Sequence, residues 1–193
     1  ILIYKRKVHR MRPYYFEIID RRKKILQKII FEDEYDYQQF IDILRYYKDE
    51  EKCSFKLYSY CLMDNHVHLL IEHTNVSLDE IMKRIEIKFV KWYNKRYRRI
   101  GHLFQERYKS EPVEDIEYLK IVFRYIHQNP LHAGIEKVPG VYPWSSYHDY
   151  ANQDDSFIDI ERIFDLFQNY QECMTYLHTL SDKMCMELQS FGI

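Results

Sequence analysis

Two histidines separated by one residue, His66 and His68, are the first feature of the sequence that could support chemistry. The apolar residues that follow them, 69–71, predict a β-strand here. Residues i and i+2 of a strand point to the same face of a sheet, so the two imidazoles would project together. Such a pair can chelate a divalent metal ion. The simpler alternative is a pair of solvated histidines with no ligand.

A second candidate set lies in the segment YIHQNP, residues 125–130. Tyr125 and Asn129 are four residues apart, so they would share one face of a predicted helix. The hydroxyl of Tyr125 and the side-chain oxygen of Asn129, one turn away, could then lie beside the two candidate metal-binding histidines. The alternative is that Tyr125 is a core residue and Asn129 only ends the helix before Pro130.

A strongly basic stretch runs from Lys83 to Lys109, with ten Lys and Arg residues against two acidic ones. Aromatic residues are interleaved with the cations, and this combination suits a phosphate backbone and stacked bases. The alternative is a surface helix whose rings face the core. The candidate nucleic-acid contacts in this stretch are Lys83, Arg84, Lys88, Lys91, Lys95, Arg98, Arg99, Arg107 and Lys109.

Composition places these features in a folded globular protein with an uneven charge distribution. The chain has 193 residues, is 46% hydrophobic and 31% charged, and has a net charge of −1. With only four Gly and five Pro, it is neither collagen-like nor rich in linkers. After residue 143 there are nine acidic residues against two basic ones. This asymmetry favours a body that faces nucleic acid and carries an acidic appendage.

The expected cellular setting is the cytoplasm, with no membrane partner. No stretch of 18 apolar residues is present, and charge follows the first four apolar residues too soon for a signal peptide. The four cysteines contain no Cys-x-x-Cys pair, and we expect them to be reduced and mostly buried.

The expected elements alternate between strands and helices. Ser77 and Glu80 would form a capping box at the start of the long basic helix, and Gly101 would end that helix. Period-two and period-three-to-four patterns predict strands over 13–20, 55–63, 66–72 and 102–109, and helices over 33–51, 77–98, 115–128, 157–167 and 171–188.

This order is that of an α+β fold, a ferredoxin-like antiparallel sheet with helices on one face and an added helix. The change in character after Pro143 predicts an acidic helical C-terminal extension. We therefore expect a catalytic domain over residues 1–150 and the extension over residues 151–193.

Four segments in a fixed order carry a family resemblance: MDNHVHLL, GHLFQERYKS, YLKIVFRYIHQNPLHAGI and VYPWSSY. Together they resemble the HUH single-tyrosine transposases, which comprise insertion-sequence-200-like enzymes and their REP-associated relatives. The resemblance spans about residues 14–150 and leaves the acidic C-terminal helices outside it.

The resemblance implies a metal-dependent enzyme that nicks and rejoins single-stranded or hairpin DNA. His66 and His68 would bind Mg²⁺ or Mn²⁺ beneath the scissile phosphate, and Tyr125 would attack it to form a 5′-phosphotyrosine. Asn129 stands where such enzymes place a third metal ligand, which is Gln in the best-known members, and Gln128 is the substitute candidate. Imidazole pairs usually favour Zn²⁺ or Mn²⁺ over Mg²⁺, so Mn²⁺ is as good a candidate as Mg²⁺.

Several alternatives stay open at this point. Asp64 stands where a proline is common in the family, which changes the turn before the histidines. Insertion-sequence members exchange helices in a homodimer, whereas REP-associated members tend to be monomers, and the sequence does not choose between them. The protein could also be a domesticated DNA- or RNA-binding protein that does not cleave. A small zinc hydrolase is a third possibility, but the chain lacks a His-Glu-x-x-His motif.

Overall fold

A computed structural model describes residues 2–4, 15–18, 29–50, 53–104, 108–113 and 115–180 of the chain. Its strands are β1 (Leu2–Tyr4), β2 (Tyr15–Ile18), β3 (Phe55–Leu62), β4 (Val67–His73) and β5 (Lys109–Glu111). Its helices are α1 (Glu34–Lys48), α2 (Leu78–Arg96), α3 (Ile116–His132), α4 (Tyr147–Asn152), α5 (Glu161–Phe164) and α6 (Tyr170–His178).

The strands form one sheet in the order β1-β5-β2-β4-β3, with an additional pairing of β1 and β2. From β2 to β5 the chain runs strand, helix, strand, strand, helix, strand, and these four strands lie in the order β5-β2-β4-β3. This is the ferredoxin-like α+β arrangement, so the predicted fold class is confirmed.

The β3–β4 hairpin decides which side chains share a face of the sheet. Cys61 pairs with His68, and Tyr60 pairs with Leu69, so these two pairs point to opposite faces. The ring of Tyr60 contacts the ring of Phe157, and the guanidinium of Arg45 in α1 lies over the Phe157 ring. Helix α1 therefore lies on the face of the sheet that carries Tyr60, away from His68. The added helix α3 lies against the His68 face.

Short polar side chains start the three long helices. Asp33 accepts hydrogen bonds from two backbone N–H groups of α1, Asp115 accepts one from Tyr118, and Ser77 accepts one from Glu80 at 3.4 Å. The Ser77 half of the predicted capping box is therefore present, while the Glu80 carboxylate pairs with Arg84 instead.

Helix α2 and strand β5 differ from the predicted boundaries. Helix α2 ends at Arg96, and the chain turns at Arg98, whose φ of 50° is left-handed, so Gly101 lies beyond the helix end. The strand predicted over 102–109 is instead the short segment Lys109–Glu111. This strand pairs with β1 and β2, and side-chain alternation within 102–109 does not specify those partners.

Helix α3 continues through Pro130 to His132, past the predicted end at 128. A proline late in a helix removes one backbone donor, and the side-chain amide of Asn129 compensates for that loss. The helix predicted over 157–167 is only the single turn α5, and α4 was not predicted. Helix α6 starts as expected and reaches His178, and the rest of the predicted helix falls largely outside the described residues.

One core joins the sheet to its helices and to the acidic extension. Helix α6 packs on α3, where Arg124 lies 4.5 Å from the ring centre of Tyr176. Cys53, Cys61 and Cys173 are buried free thiols, as predicted, and Cys185 lies outside the described residues. Within the described part of the chain, every helix is too short or too polar to span a lipid bilayer.

Candidate functional site

The two histidines of the HVH segment lie together at the start of β4. Their ring centroids are 4.7 Å apart and the ring planes are nearly perpendicular, at 80°. His66 is half-buried and His68 is only 1% exposed. Neither ring nitrogen of His68 has a hydrogen-bond partner in the described residues. Buried polar atoms without a partner are costly, and a metal ligand role is one of the few arrangements that satisfies them.

Burial keeps both imidazoles neutral. It lowers the pKa of His66 to about 3 and that of His68 well below the usual value. Neutral imidazole is the form that binds a metal ion, because the ring nitrogen needs a free lone pair. Nδ1 of His66 lies 2.5 Å from the side-chain oxygen of Asn65, so a proton on Nδ1 leaves Nε2 available. Asn65 therefore orients His66 in the way that outer partners orient metal-binding histidines.

Among the side chains that the structure describes, no third His, Cys, Asp or Glu joins this pair. The described donors would thus be two imidazoles, which leave positions for oxygen ligands such as amides, water or a bound phosphate. This composition differs from a closed structural zinc site, in which the protein supplies four ligands. It is compatible with an ion that also coordinates a substrate.

Tyr125 of α3 lies next to His68. The two ring centroids are 5.9 Å apart, and the rings meet edge to face at 86°. On its other side Tyr125 stacks on His132, with centroids 5.9 Å apart and an angle of 27°. His132 is a contact that our sequence reasoning missed, although its spacing of seven residues from Tyr125 places both on one helix face. Tyr125 is 1% exposed.

Asn129 supports the backbone of α3. Its Nδ2 donates to the carbonyl oxygen of Tyr125 at 2.9 Å and to that of Ile126 at 3.5 Å. The Ile126 carbonyl is the group that a backbone N–H at position 130 would otherwise bind, and proline has none. The amide thus lets the helix pass Pro130. Its Oδ1 is the atom of the right chemistry for a hard cation.

Gln128, the substitute ligand candidate, faces a different neighbour. Its Nε2 donates to the carbonyl oxygens of Leu177 and Thr179 at 2.8 and 2.9 Å, at the end of α6. Gln128 therefore ties the acidic extension to α3. The structure brings Tyr125 to the histidines and directs the Gln128 amide to α6.

His127 holds α3 at its angle to the sheet, and sequence reasoning did not single it out. Its Nδ1 binds the carbonyl oxygen of Phe123 and its Nε2 binds Ser146 Oγ, each at 2.8 Å. The Ser146 hydroxyl also accepts from the backbone N–H of Tyr60 in β3 at 2.9 Å. Burial lowers the pKa of His127 to about 4, so this link is made by the neutral ring.

The candidate nucleic-acid contacts on α2 and on the segment that follows it fall into two groups. Lys83 and Arg84 pair with Glu80, at 3.7 and 2.8 Å, and Lys88 lies 3.2 Å from the ring centre of Tyr46. Arg99 likewise lies over the ring of Tyr93. The second group is exposed and has no ion pair in the described part of the chain: Lys91, Lys95, Arg98 and Lys109. Arg107 lies outside the described residues.

The aromatic residues of α2 mostly face the protein. Tyr93 is 1% exposed, and Trp92 stacks on Phe89 with centroids 5.6 Å apart. Arg96 is also structural, because its guanidinium binds Asp33 at 2.6 Å and the fully buried Asp36 at 2.5 Å on α1. For these rings and for Arg96 the structure agrees with the alternative of a helix packed on the core, while the nucleic-acid contacts of the candidate cations stay a prediction.

Comparisons with known proteins match this architecture. A family profile described as "Transposase IS200 like" matches residues 14–129. None of the curated proteins matches the chain. A solved structure described as "Structure of the REP associates tyrosine transposase bound to a REP hairpin" is similar, with a TM-score of 0.57 and 15% identity. The match covers 88% of this chain and 84% of that chain, and at this identity it supports the fold alone.

The profile match covers more than half of the chain and includes His66, His68, Tyr125 and Asn129. The family prediction made from the sequence segments is thereby confirmed. The chain belongs to the family of IS200-like transposases.

Proposed function

We propose that this protein is a single-tyrosine DNA transposase that nicks and rejoins single-stranded DNA through a 5′-phosphotyrosine. The observation that carries the proposal is the contact of Tyr125 with His68, whose buried ring nitrogens lack partners in the described residues. A phenol and a pair of metal-binding imidazoles are the two components that such a reaction requires. The similar REP-associated transposase is bound to a REP hairpin, which supports hairpin DNA as the substrate class.

Nε2 of His66, a ring nitrogen of His68 and Oδ1 of Asn129 would hold Mg²⁺ or Mn²⁺. Such an ion, when bound, neutralises charge on the scissile phosphate and assists the leaving oxygen. Two imidazoles and one amide oxygen form a donor set that suits Mn²⁺ at least as well as Mg²⁺. Asn65 would set the orientation of His66 in this site.

The Tyr125 oxygen would form a bond to phosphorus while the bond from phosphorus to the 3′ oxygen breaks. The phenol loses a proton and the leaving 3′ oxygen gains one, so the protonation balances overall. The tyrosyl ester retains the energy of the phosphodiester, and a 3′-hydroxyl can therefore reverse the step to rejoin a strand without a nucleotide cofactor. Covalent catalysis of this kind divides one difficult displacement into two easier ones.

Tyr125 and His68 lie in contact within one chain, which supports a site formed by a single protomer. A homodimer is compatible with this arrangement but is not needed to complete it. Both side chains are buried, at 1% exposure each, so a DNA strand reaches the phenol only after covering side chains move aside. Closure of this kind keeps water from the ester and predicts that opening contributes to the observed rate.

A denaturing gel of labelled hairpin DNA with a single-stranded flank, incubated with protein and Mn²⁺, tests the proposal. We expect a covalent protein–DNA adduct with the native protein and none with Tyr125→Phe, which removes one oxygen and keeps the ring. Tyr118→Phe is the matched control, since Tyr118 lies about 10 Å away along the helix axis and should not affect the adduct.

The burial of Tyr125 and His68 also fits a second candidate, a DNA-binding protein that does not cleave. The same gel separates the two proposals. DNA binding by the native protein without any adduct, across Mg²⁺ and Mn²⁺, would favour the binding protein. An adduct that persists in Tyr125→Phe but disappears in Tyr118→Phe would assign the nucleophile to Tyr118.

A further inference from the structure

We propose that the acidic extension is a positioning element for DNA cleavage, which holds helix α3 so that Tyr125 stays against His68. This inference rests on the proposed function, because it assigns a role in the same reaction to contacts outside the histidine pair. The extension would be required for the rate of the chemical step and not for DNA binding.

One face of α3 is in contact with the extension along two turns. Lys120, Arg124 and Gln128 are spaced four residues apart, so they follow one another along the same face of the helix. The Lys120 ammonium lies 5.3 Å from the ring centre of Phe167, and the Arg124 guanidinium lies 4.5 Å from that of Tyr176. The Gln128 amide donates to two carbonyl oxygens at the end of α6. The extension therefore supports α3 at three successive positions.

The other end of the extension is fixed to strand β3. The backbone N–H of Asp159 donates to the Leu57 carbonyl oxygen, and the Asp159 carboxylate accepts from the Leu57 N–H, each at 2.9 Å. The same carboxylate pairs with Lys56 of β3 at 2.9 Å and with Lys48 of α1 at 3.3 Å. Strand β3 pairs with β4, which carries His68, so this end of the extension is fixed relative to the histidine pair.

Buried apolar side chains join the two ends of the extension. Ile160, Ile163, Cys173 and Leu177 are buried, and they belong to the same core as the sheet and α3. The extension is thus a packed connection that runs from the strand beside the histidines to the helix that carries the nucleophile.

Support on this face of α3 controls where the phenol of Tyr125 lies. Tyr125 follows Arg124 directly and lies about 100° around the helix from it. Side chains reach roughly 6 Å from a helix axis, so a roll of α3 by about 10° would move the tip of Tyr125 by about 1 Å. A displacement of that size at a reacting group can cost about 100-fold in rate. His127 ties α3 to the sheet through Ser146, and the extension supplies a second support on a neighbouring face.

A positioning role and a purely stabilising role predict different measurements. Contacts that only stabilise the fold would, when removed, lower the unfolding temperature and leave the rate per folded molecule unchanged. Contacts that position Tyr125 would, when removed, lower the rate of adduct formation at saturating DNA and Mn²⁺. The affinity for DNA would remain, because the candidate DNA contacts lie on other elements.

Single-turnover formation of the covalent adduct on flanked hairpin DNA, with DNA and Mn²⁺ saturating, tests the positioning role. Tyr176→Ala removes the ring beneath Arg124 and should slow the adduct by roughly 10- to 100-fold, with the Kd for DNA unchanged. Tyr176→Phe keeps the ring and should keep the native rate. Tyr170→Phe is the matched control, because its hydroxyl bonds to Ala151 within the extension and its loss should leave the rate unchanged.

Arg124→Leu removes the same contact from the α3 side and carries the test if thermal unfolding shows that Tyr176→Ala does not fold. Because Arg124 and Tyr176 would act as one contact, the double variant should be no slower than the slower single variant. Fully additive losses in the double variant would overturn their assignment as one positioning contact.

A native rate of adduct formation in folded Tyr176→Ala and Arg124→Leu would overturn the positioning role. The proposed transposase function would still stand in that case, because the adduct forms. Slower adduct formation that recovers at higher DNA concentration would place the extension in DNA binding and would also overturn the positioning role. Absence of any adduct with the native protein would overturn the proposed function and this inference with it.

Discussion

The ring of Tyr125 meets the ring of His68 edge to face, 5.9 Å between centroids, although 57 residues separate them in the chain. Two links set this contact. The hairpin places His68 on the face covered by α3, and His127 fixes the helix through Ser146 to β3. In this arrangement the candidate nucleophile and the candidate metal-binding histidines lie side by side within one chain.

Removal of the half-buried histidine should remove metal binding with little loss of fold. We expect Mn²⁺ at 100 times its Kd to stabilise the native protein by about 2.7 kcal/mol, and His66→Ala to lose this gain. Thermal unfolding with and without Mn²⁺ measures both. His102→Ala, an exposed histidine elsewhere, is the control and should keep the metal response. A His66→Ala variant that is unfolded without metal would make His66 a core residue.

Asn65 should affect metal affinity only by orienting His66. Asn65→Ala removes the oxygen that orients His66, and loss of such an outer partner typically costs roughly 10- to 100-fold in metal affinity. Mn²⁺ titration followed by electron paramagnetic resonance would measure the change. Equal affinities for Asn65→Ala and the native protein would separate Asn65 from the metal site.

Two substitutions distinguish the ligand role of Asn129 from its role in the helix. Asn129→Asp keeps a carboxyl oxygen but loses the donors to the Tyr125 and Ile126 carbonyls, so urea unfolding should show a loss of about 1–3 kcal/mol. Mn²⁺ affinity should be retained. Asn129→Leu should lose both the stability that the helix hydrogen bonds supply and the Mn²⁺ affinity. If Asn129→Asp binds Mn²⁺ as poorly as Asn129→Leu, the third ligand lies elsewhere.

The exposed cations of α2 and of the turn after it should carry the electrostatic part of DNA binding. A triple variant with Gln in place of Lys91, Lys95 and Arg98 should reduce the slope of log K against log salt by about 2. Each phosphate contact on a single strand contributes about 0.7 to that slope. Filter binding over a salt series measures the slope. The control variant replaces Lys83 and Arg84, which already pair with Glu80, and it should change the salt slope less. A slope unchanged by the triple variant would make this surface a solvated face.

Gln128 should anchor the acidic extension. Gln128→Leu leaves the carbonyls of Leu177 and Thr179 without their donor, at a cost of about 1–3 kcal/mol. We expect faster amide hydrogen exchange across α6, with α1 unchanged. Gln38→Leu, an exposed glutamine on α1, serves as the control. Unchanged exchange in α6 would show that its apolar contacts are sufficient, because Cys173 and Leu177 are buried in the core.

Local sequence patterns predicted most of the elements. Period-two alternation located β3, the apolar run after the histidines located β4, apolar spacing of three and four located α1 and α3, and Ser77 with Glu80 located the start of α2. These signals are local, so their ends depend on neighbours that the pattern does not contain. Helix α3 illustrates this limit, since Pro130 predicted an earlier end and the Asn129 amide compensates for the missing donor.

The sequence by itself also determined the family and the candidate chemistry. His66, His68, Tyr125 and Asn129 were identified by residue type and spacing together with the order of the surrounding segments. Their type and order are properties of the chain, and no fold is needed to read them. The same holds for the excess of cations in the basic stretch.

Only the tertiary structure decided which of these residues meet and which are already engaged. It brings Tyr125 to His68, directs Gln128 to α6, and uses Arg96 to bind Asp33 and Asp36. It also stacks Trp144 on Tyr37, more than a hundred residues away in the chain. Such contacts join segments far apart in sequence, and their geometry follows from sheet register and core packing, to which every element contributes.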